Sequence, residues 1–167
     1  MDRRLVAGLG VAGMLTLVAS CSVPSVGEIA ISRDPDGGFV AHVRICDGSD
    51  RVDGLTLYDS DDTTIDVEPV MGLSDRSAWR IGPIIHRHAG MGAVVPDGEL
   101  TVYGWTRDNT GSLDGPGADI QTWLGLGPGD LMHLEVVDHD GLDLLESTIS
   151  RGKTADEWFD EACEGWD

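Results

Sequence analysis

Val26-Gly-Glu-Ile-Ala-Ile-Ser-Arg-Asp-Pro-Asp-Gly-Gly-Phe-Val-Ala-His-Val-Arg-Ile-Cys46 reads as a strand, a turn and a second strand. Val26–Ser32 and Phe39–Cys46 are built of the β-branched and aromatic residues that suit a pleated surface, and Asp36–Gly37 is the dipeptide of a tight hairpin turn. Side chains alternate across a strand. Phe39, Ala41, Val43 and Ile45 therefore share one face, and Val40, His42, Arg44 and Cys46 share the other. One face is apolar and the other mixed, the pattern of an antiparallel strand buried on one side.

The same texture continues downstream. Leu55–Tyr58, Thr64–Val70 and Ser77–Ile81 are short strand candidates between turns bearing Asp, Gly and Ser. In Leu100–Arg107 the residues Leu100, Val102, Gly104 and Thr106 oppose Thr101, Tyr103, Trp105 and Arg107, and the aromatic-bearing face is expected to be the core face. Ile120–Leu124 reads as a further strand, followed by the Gly127-Pro128-Gly129 turn. Leu131–Val137 and Leu142–Ile149 flank Asp140–Gly141 as a second hairpin. The glycine-rich stretch ending at Gly117 reads as loop. The expected fold is mainly β, an antiparallel sandwich or barrel of about 7–9 strands. The period changes at the C-terminus, where Thr154 and Glu157 form a capping box and Ala155, Trp158, Phe159 and Ala162 share one face of a short α-helix.

Upstream of the hairpin, Arg3 and Arg4 precede an apolar stretch, Leu5–Val18, too short to span a bilayer comfortably and of the length a secretory signal needs. Leu17-Val18-Ala19-Ser20-Cys21 matches the bacterial lipobox. The expected organisation is a signal peptide over 1–20, a lipidated linker over 21–27 and a single extracytoplasmic domain over 28–167. A plain secretory signal without lipid is the competing reading, because Ala19 and Ser20 also suit a general signal peptidase. Acylated Cys21 would place the chain on the outer face of the cell membrane, with the lipid bilayer as its first partner, since two acyl chains hold where one is marginal.

Of the 167 residues, 30 are Asp or Glu and 11 Lys or Arg, a formal charge of −19. Removing residues 1–20 takes away two arginines and one aspartate and leaves −20 on 147 residues, enough for one domain. Such a balance argues against nucleic acid and against anionic lipid head groups as ligands. With Cys21 acylated, Cys46 and Cys163 remain, and an oxidising compartment would let them form one bridge closing 117 residues. Two separately buried thiols are the alternative.

These features together resemble a group of small actinobacterial lipoproteins. Those proteins share the lipobox (here Cys21), a Cys-Asp-Gly (Cys46, Asp47, Gly48), a Leu-Tyr-Asp strand end (Leu57, Tyr58, Asp59) and a late cysteine (Cys163). Tyr103-Gly104-Trp105-Thr106-Arg107-Asp108-Asn109 is similar to their Tyr-Gly-x-Thr-x-Asp-Asn segment. The resemblance implies the location and a single domain, and carries no activity with it. Ten arginines against one lysine, and Asn109 as the single asparagine, are the usage of a GC-rich genome and agree with that source.

Several groups could carry chemistry. His86 and His88 have a metal-ligand spacing for zinc or copper, with His42, His133 or His139 as a third ligand. In a loop punctuated by Gly and Pro they would instead be solvated. Asp59, Asp61, Asp62 and Asp66 are oxygen donors of the kind calcium takes, without a calcium-loop spacing. Asp138, Asp140 and Asp143 lack the ligands of an EF-hand and fit a hairpin turn. Tyr103, Trp105, Arg107, Asp108 and Asn109 are the first candidates for a binding site, because recognition groups sit on loops leaving a rigid sheet. In the plainer reading, Tyr103 and Trp105 are core, Arg107 and Asp108 pair, and Asn109 makes a turn. No nucleophile elbow or zinc-protease motif is present. The expectation is a noncatalytic, membrane-anchored domain without a cofactor, binding an envelope protein or glycan. A metal-binding protein using His86 and His88 is the alternative, and an enzyme of unknown reaction the third.

Overall fold

The computed structural model describes residues 23–47, 52–58, 64–66, 68–72, 76–81, 98–106 and 110–164. The first hairpin forms as its pattern requires. β1 (Ser25–Arg33) pairs antiparallel with β2 (Phe39–Ile45) from Gly27 opposite Ile45 to Arg33 opposite Phe39. The connecting turn closes through Gly37 N–H donating to the Asp34 carbonyl at 2.8 Å, with Gly37 at φ +85°, where glycine is at ease. Phe39, Ala41, Val43 and Ile45 are buried, and His42 and Arg44 lie on the opposite face.

The remaining strands are β3 (Val52–Tyr58), β4 (Thr64–Asp66), β5 (Glu68–Gly72), β6 (Arg76–Ile81), β7 (Glu99–Thr106), β8 (Ser112–Asp119), β9 (Asp130–His139) and β10 (Leu142–Arg151). The helices are α1 (Ile120–Gly125) and α2 (Ala155–Glu161). The fold is mainly β, a near-closed sandwich or barrel with two short helices. Its main path runs β4-β3-β7-β8-β1-β2-β6-β5, with the β9–β10 hairpin attached to β1. Among the described residues, no helix is long and apolar enough to cross a membrane.

The inner face gathers Ile29, Ile31, Phe39, Val43, Leu57, Ile81, Val102, Leu113 and Trp123 into the main core. The middle of β1 is buried on both faces. Its outer residue Ala30 packs with Leu131 and with Trp158, Phe159 and Ala162 of α2. The capping box that starts α2 is complete: Thr154 Oγ1 accepts from Glu157 N–H at 3.2 Å, and the Glu157 carboxylate accepts from Thr154 N–H at 2.8 Å. Donation to the Glu157 carboxylate from Thr154 N–H and from the Thr154 hydroxyl holds that carboxyl below its usual range. Just past α2, Cys163 bridges to Cys46 at the end of β2, fixing the helix to the outer face of the sheet.

The structure corrects several expectations. Ile120–Leu124 is helix α1, because Asp119 caps it: its carboxylate accepts from the backbone of Gln121 at 2.9 Å and of Thr122 at 3.0 Å. The stretch read as a glycine-rich loop contains β8, a central strand. Its glycines are there for want of room, since a Cβ on Gly115 would lie 2.3 Å from a Val102 methyl. Pro116 falls where the β7–β8 register shifts, at a position released from the ladder. Pairing is not wholly antiparallel, for β8 runs parallel to β1 at Ser25–Glu28. Thr64–Val70 divides into β4 and β5, which brings the strands among the described residues to ten. β1 begins at Ser25, inside the segment read as linker.

The core face of β7 is the aliphatic one. Leu100, Val102 and Thr106 are buried, whereas Trp105 is 38 % exposed on the outer face. Gly54 explains the choice: the Trp105 indole lies flat where a Cβ of Gly54 would stand, so the aromatic packs on bare backbone outside the core.

Candidate functional site

β1 has one partner along its β2 edge and two along the other. Ser25–Glu28 pair with β8, while Ile31 and Ser32 pair with Met132 and Leu131 of β9. Where β8 and β9 part company a groove of about 660 Å³ opens, bounded by the β9–β10 hairpin and by α2. The alternation that buries Ile29 and Leu113 turns Glu28 and Asp114 outward, and the parallel register sets them side by side. Glu135 of β9, and Glu161 and Glu164 at the end of α2, complete a carboxylate-rich wall. Val136, Leu145 and Trp158 supply its apolar surface. Among the described residues Lys153 is the one lysine or arginine lining the groove, and its ammonium is paired with Glu161 at 2.6 Å.

The hairpin beside this groove departs from ordinary surface chemistry. β9 and β10 pair from Asp130 opposite Arg151 to His139 opposite Leu142, and turn through Asp140 and Gly141, both at positive φ. Val136 is 61 % exposed, Leu142 68 % and Leu145 60 %, and Leu144 and Ile149 are exposed as well. Single apolar side chains on a surface are ordinary, but this ribbon exposes them on both faces, Val136, Leu145 and Ile149 on one and Leu142 and Leu144 on the other.

Each described histidine has its own partner. His133, buried beside the groove, has Nε2 2.9 Å from Ser150 Oγ and Nδ1 2.9 Å from the Leu134 carbonyl. His139 Nε2 lies 2.7 Å from Glu146 on the exposed hairpin. His42 sits under α2, 2.7 Å from Ser32 Oγ and edge-on to Phe159. Burial lowers the His42 pKa from 6.5 to about 4, partly offset by the Asp156 carboxylate. Between those two values the unfolded chain binds more proton than the folded one. Stability is therefore fully present above pH 6.5 and falls as the pH drops towards about 4, by up to on the order of 3 kcal/mol. His42→Gln should remove that portion of the acid loss, measured as the difference between the two proteins' urea midpoints at pH 4.5 and pH 7.5. An unchanged difference would refute the assignment.

Among the sequence candidates, Tyr103 and Trp105 lie on the outer face of β7. Tyr103 is opposite Asp114 and edge-on to Tyr58, with ring centroids 6.4 Å apart. Tyr103 thus shares the groove's face of the sheet, one strand from its carboxylates. Arg107, Asp108 and Asn109 lie outside the described residues, as do Cys21, the signal segment, His86, His88, Asp59, Asp61 and Asp62. Asp138 serves its turn, its carboxylate accepting from Gly141 N–H at 2.7 Å. Among the described residues, no three His, Cys, Asp or Glu side chains assemble as a metal site.

Sequence reading missed the groove because its carboxylates come from separate elements, and only the β1–β8 register and the docking of α2 bring them together. The one local sign was the run Leu142, Leu144, Leu145, which is richer in leucine than a hairpin tip needs. No protein-family model, no curated protein and no solved structure matches the chain.

Proposed function

We propose that this chain is an extracytoplasmic lipoprotein held to the membrane by acylated Cys21, and that its β domain is a noncatalytic module binding another envelope component. The observation that carries the binding half is the β9–β10 hairpin, which presents Val136, Leu142, Leu144, Leu145 and Ile149 to solvent. Uncompensated exposure on that scale marks a contact surface. The Cys46–Cys163 bridge supports the location, because such bonds persist in oxidising compartments. The resemblance of the lipobox and of the Tyr103–Asn109 segment to small actinobacterial lipoproteins points the same way.

Growth with an alkyne fatty acid tests the anchor. The chain should carry the label and sediment with membranes, and Cys21→Ala should lose both. An unlabelled wild-type protein, or one recovered in the cytosol, would defeat the reading. For the surface, a photo-crosslinking residue at position 144 should give a discrete adduct in cells that Leu142→Asp with Leu145→Asp abolishes. Both positions are exposed, so the double variant should keep its thermal midpoint, each surface change costing within about 0.5 kcal/mol. An adduct indifferent to the two aspartates would remove the hairpin from the interaction.

A further inference from the structure

We infer that the groove between α2 and the β9–β10 hairpin takes an extended polypeptide segment in which basic and apolar residues alternate, added as a strand to the open edge of β9. The inference rests on the interaction-module reading and names the chemistry of the partner.

The first support is backbone. β9 pairs with β10 along its whole length, but on its other side, among the described residues, it pairs with β1 only at Leu131 and Met132. From His133 to His139 that second edge carries no strand among the described residues. An open edge of this kind is a template for a further strand, which gains affinity from main-chain hydrogen bonds and selectivity from alternate side chains. The groove lies against it, lined by His133, Leu134, Glu135 and Val136 in succession.

The second support is charge. Glu28, Asp114, Glu135, Glu161 and Glu164 border the groove; Glu28 stands opposite Arg44 of β2 and Lys153 is engaged by Glu161, so the surplus of negative charge rests on Asp114, Glu135 and Glu164. These carboxylates are spread over β1, β8, β9 and the end of α2, so they suit several cations spaced along a chain. Successive residues on one side of a strand stand roughly 7 Å apart. Complementary charges of this sort set register and speed encounter. The third support is the apolar surface of Val136, Leu145 and Trp158 within the same groove, which matches the alternate, uncharged side of such a segment. A bilayer surface would meet the apolar residues too, but anionic head groups would be repelled by the carboxylates.

The test uses the full chain in zwitterionic detergent and fluorescein-labelled octapeptides read by anisotropy. An alternating Lys-Val peptide should bind. Its Glu-Val counterpart, and a Lys-Val peptide N-methylated at alternate backbone amides, should each bind at least about tenfold more weakly, since one reverses the charge and the other blocks the ladder. Glu135→Gln and Glu161→Gln should each weaken Lys-Val binding about twofold to fivefold, and added salt should weaken it further. Equal binding of the Glu-Val or the N-methylated peptide would overturn the proposal. So would absence of Lys-Val binding, including the case in which the Cys21→Ala chain instead binds phosphatidylglycerol vesicles. None of these results bears on Cys21 labelling or on the adduct at position 144, which judge the parent reading separately.

Discussion

Replacing Cys46 and Cys163 together by serine is expected to destabilise the protein by about 4–5 kcal/mol, the entropy released when a closed loop of this size opens. The bridge spans 117 residues. For a chain of this size the thermal midpoint should fall by roughly 10–20 °C. The loss should also be localised. α2 has seven residues, far fewer than an isolated helix needs, and it is held by Trp158, Phe159 and Ala162 against Ala30 and Leu131 and by the disulfide at its end. Without the covalent tie, α2 should open before the sheet does, and hydrogen exchange should show Trp158 and Ala162 losing protection ahead of the β1–β2 ladder. Because α2 forms one wall of the groove, Lys-Val binding should weaken in the same variant. A double-serine protein with an unchanged midpoint and unchanged exchange would contradict this account.

Trp123→Ala should cost about 3–5 kcal/mol, the range for deleting a large buried aromatic. The indole is fully buried in the main core, edge-on to Phe39 at 5.5 Å, and donates from Nε1 to the Leu100 carbonyl at 3.2 Å. Trp123→Phe would refill much of the volume but leave that carbonyl without its donor, so an intermediate loss is expected. Trp105→Ala is the informative contrast. That ring lies outside the core over Gly54, and its removal should cost only about 1 kcal/mol, near the centre of the range for single substitutions. Urea unfolding of the three variants decides the matter. A Trp105→Ala loss as large as that of Trp123→Ala would mean that the aromatic face of β7 is the core face after all.

That contrast also marks the limit of strand periodicity as a guide. The alternation in Leu100–Thr106 is plain in the sequence, and the two faces separate as it says. Gly54, in a different strand, makes room for Trp105 on the outer face, and the alternation within β7 does not carry that information. The same reasoning covers β8. Two glycines and a proline in Ser112–Asp119 are ordinary loop signals, and they occur in a strand because Val102 and Ile29 crowd Gly115 from neighbouring elements. For α1, by contrast, a local sign was present in Asp119 with Thr122 three residues on. The apolar run that follows suits a strand equally well, and the cap decides for helix.

What the sequence determined by itself is everything governed by near neighbours. The Asp-Gly turns of both hairpins, the inward face of β2, and the capping box and apolar stripe of α2 follow from interactions within a few residues. The Cys46–Cys163 bridge was legible as well, on the expectation that Cys21 is set aside by acylation. Tertiary structure decided the parallel joining of β8 to β1, the burial of the middle of β1 on both faces, and the fork that, among the described residues, leaves one edge of β9 open beside Glu28, Asp114 and Glu135. Those contacts join residues from opposite ends of the chain. Their free energy depends on which surfaces meet, and a chain read one window at a time does not contain that choice.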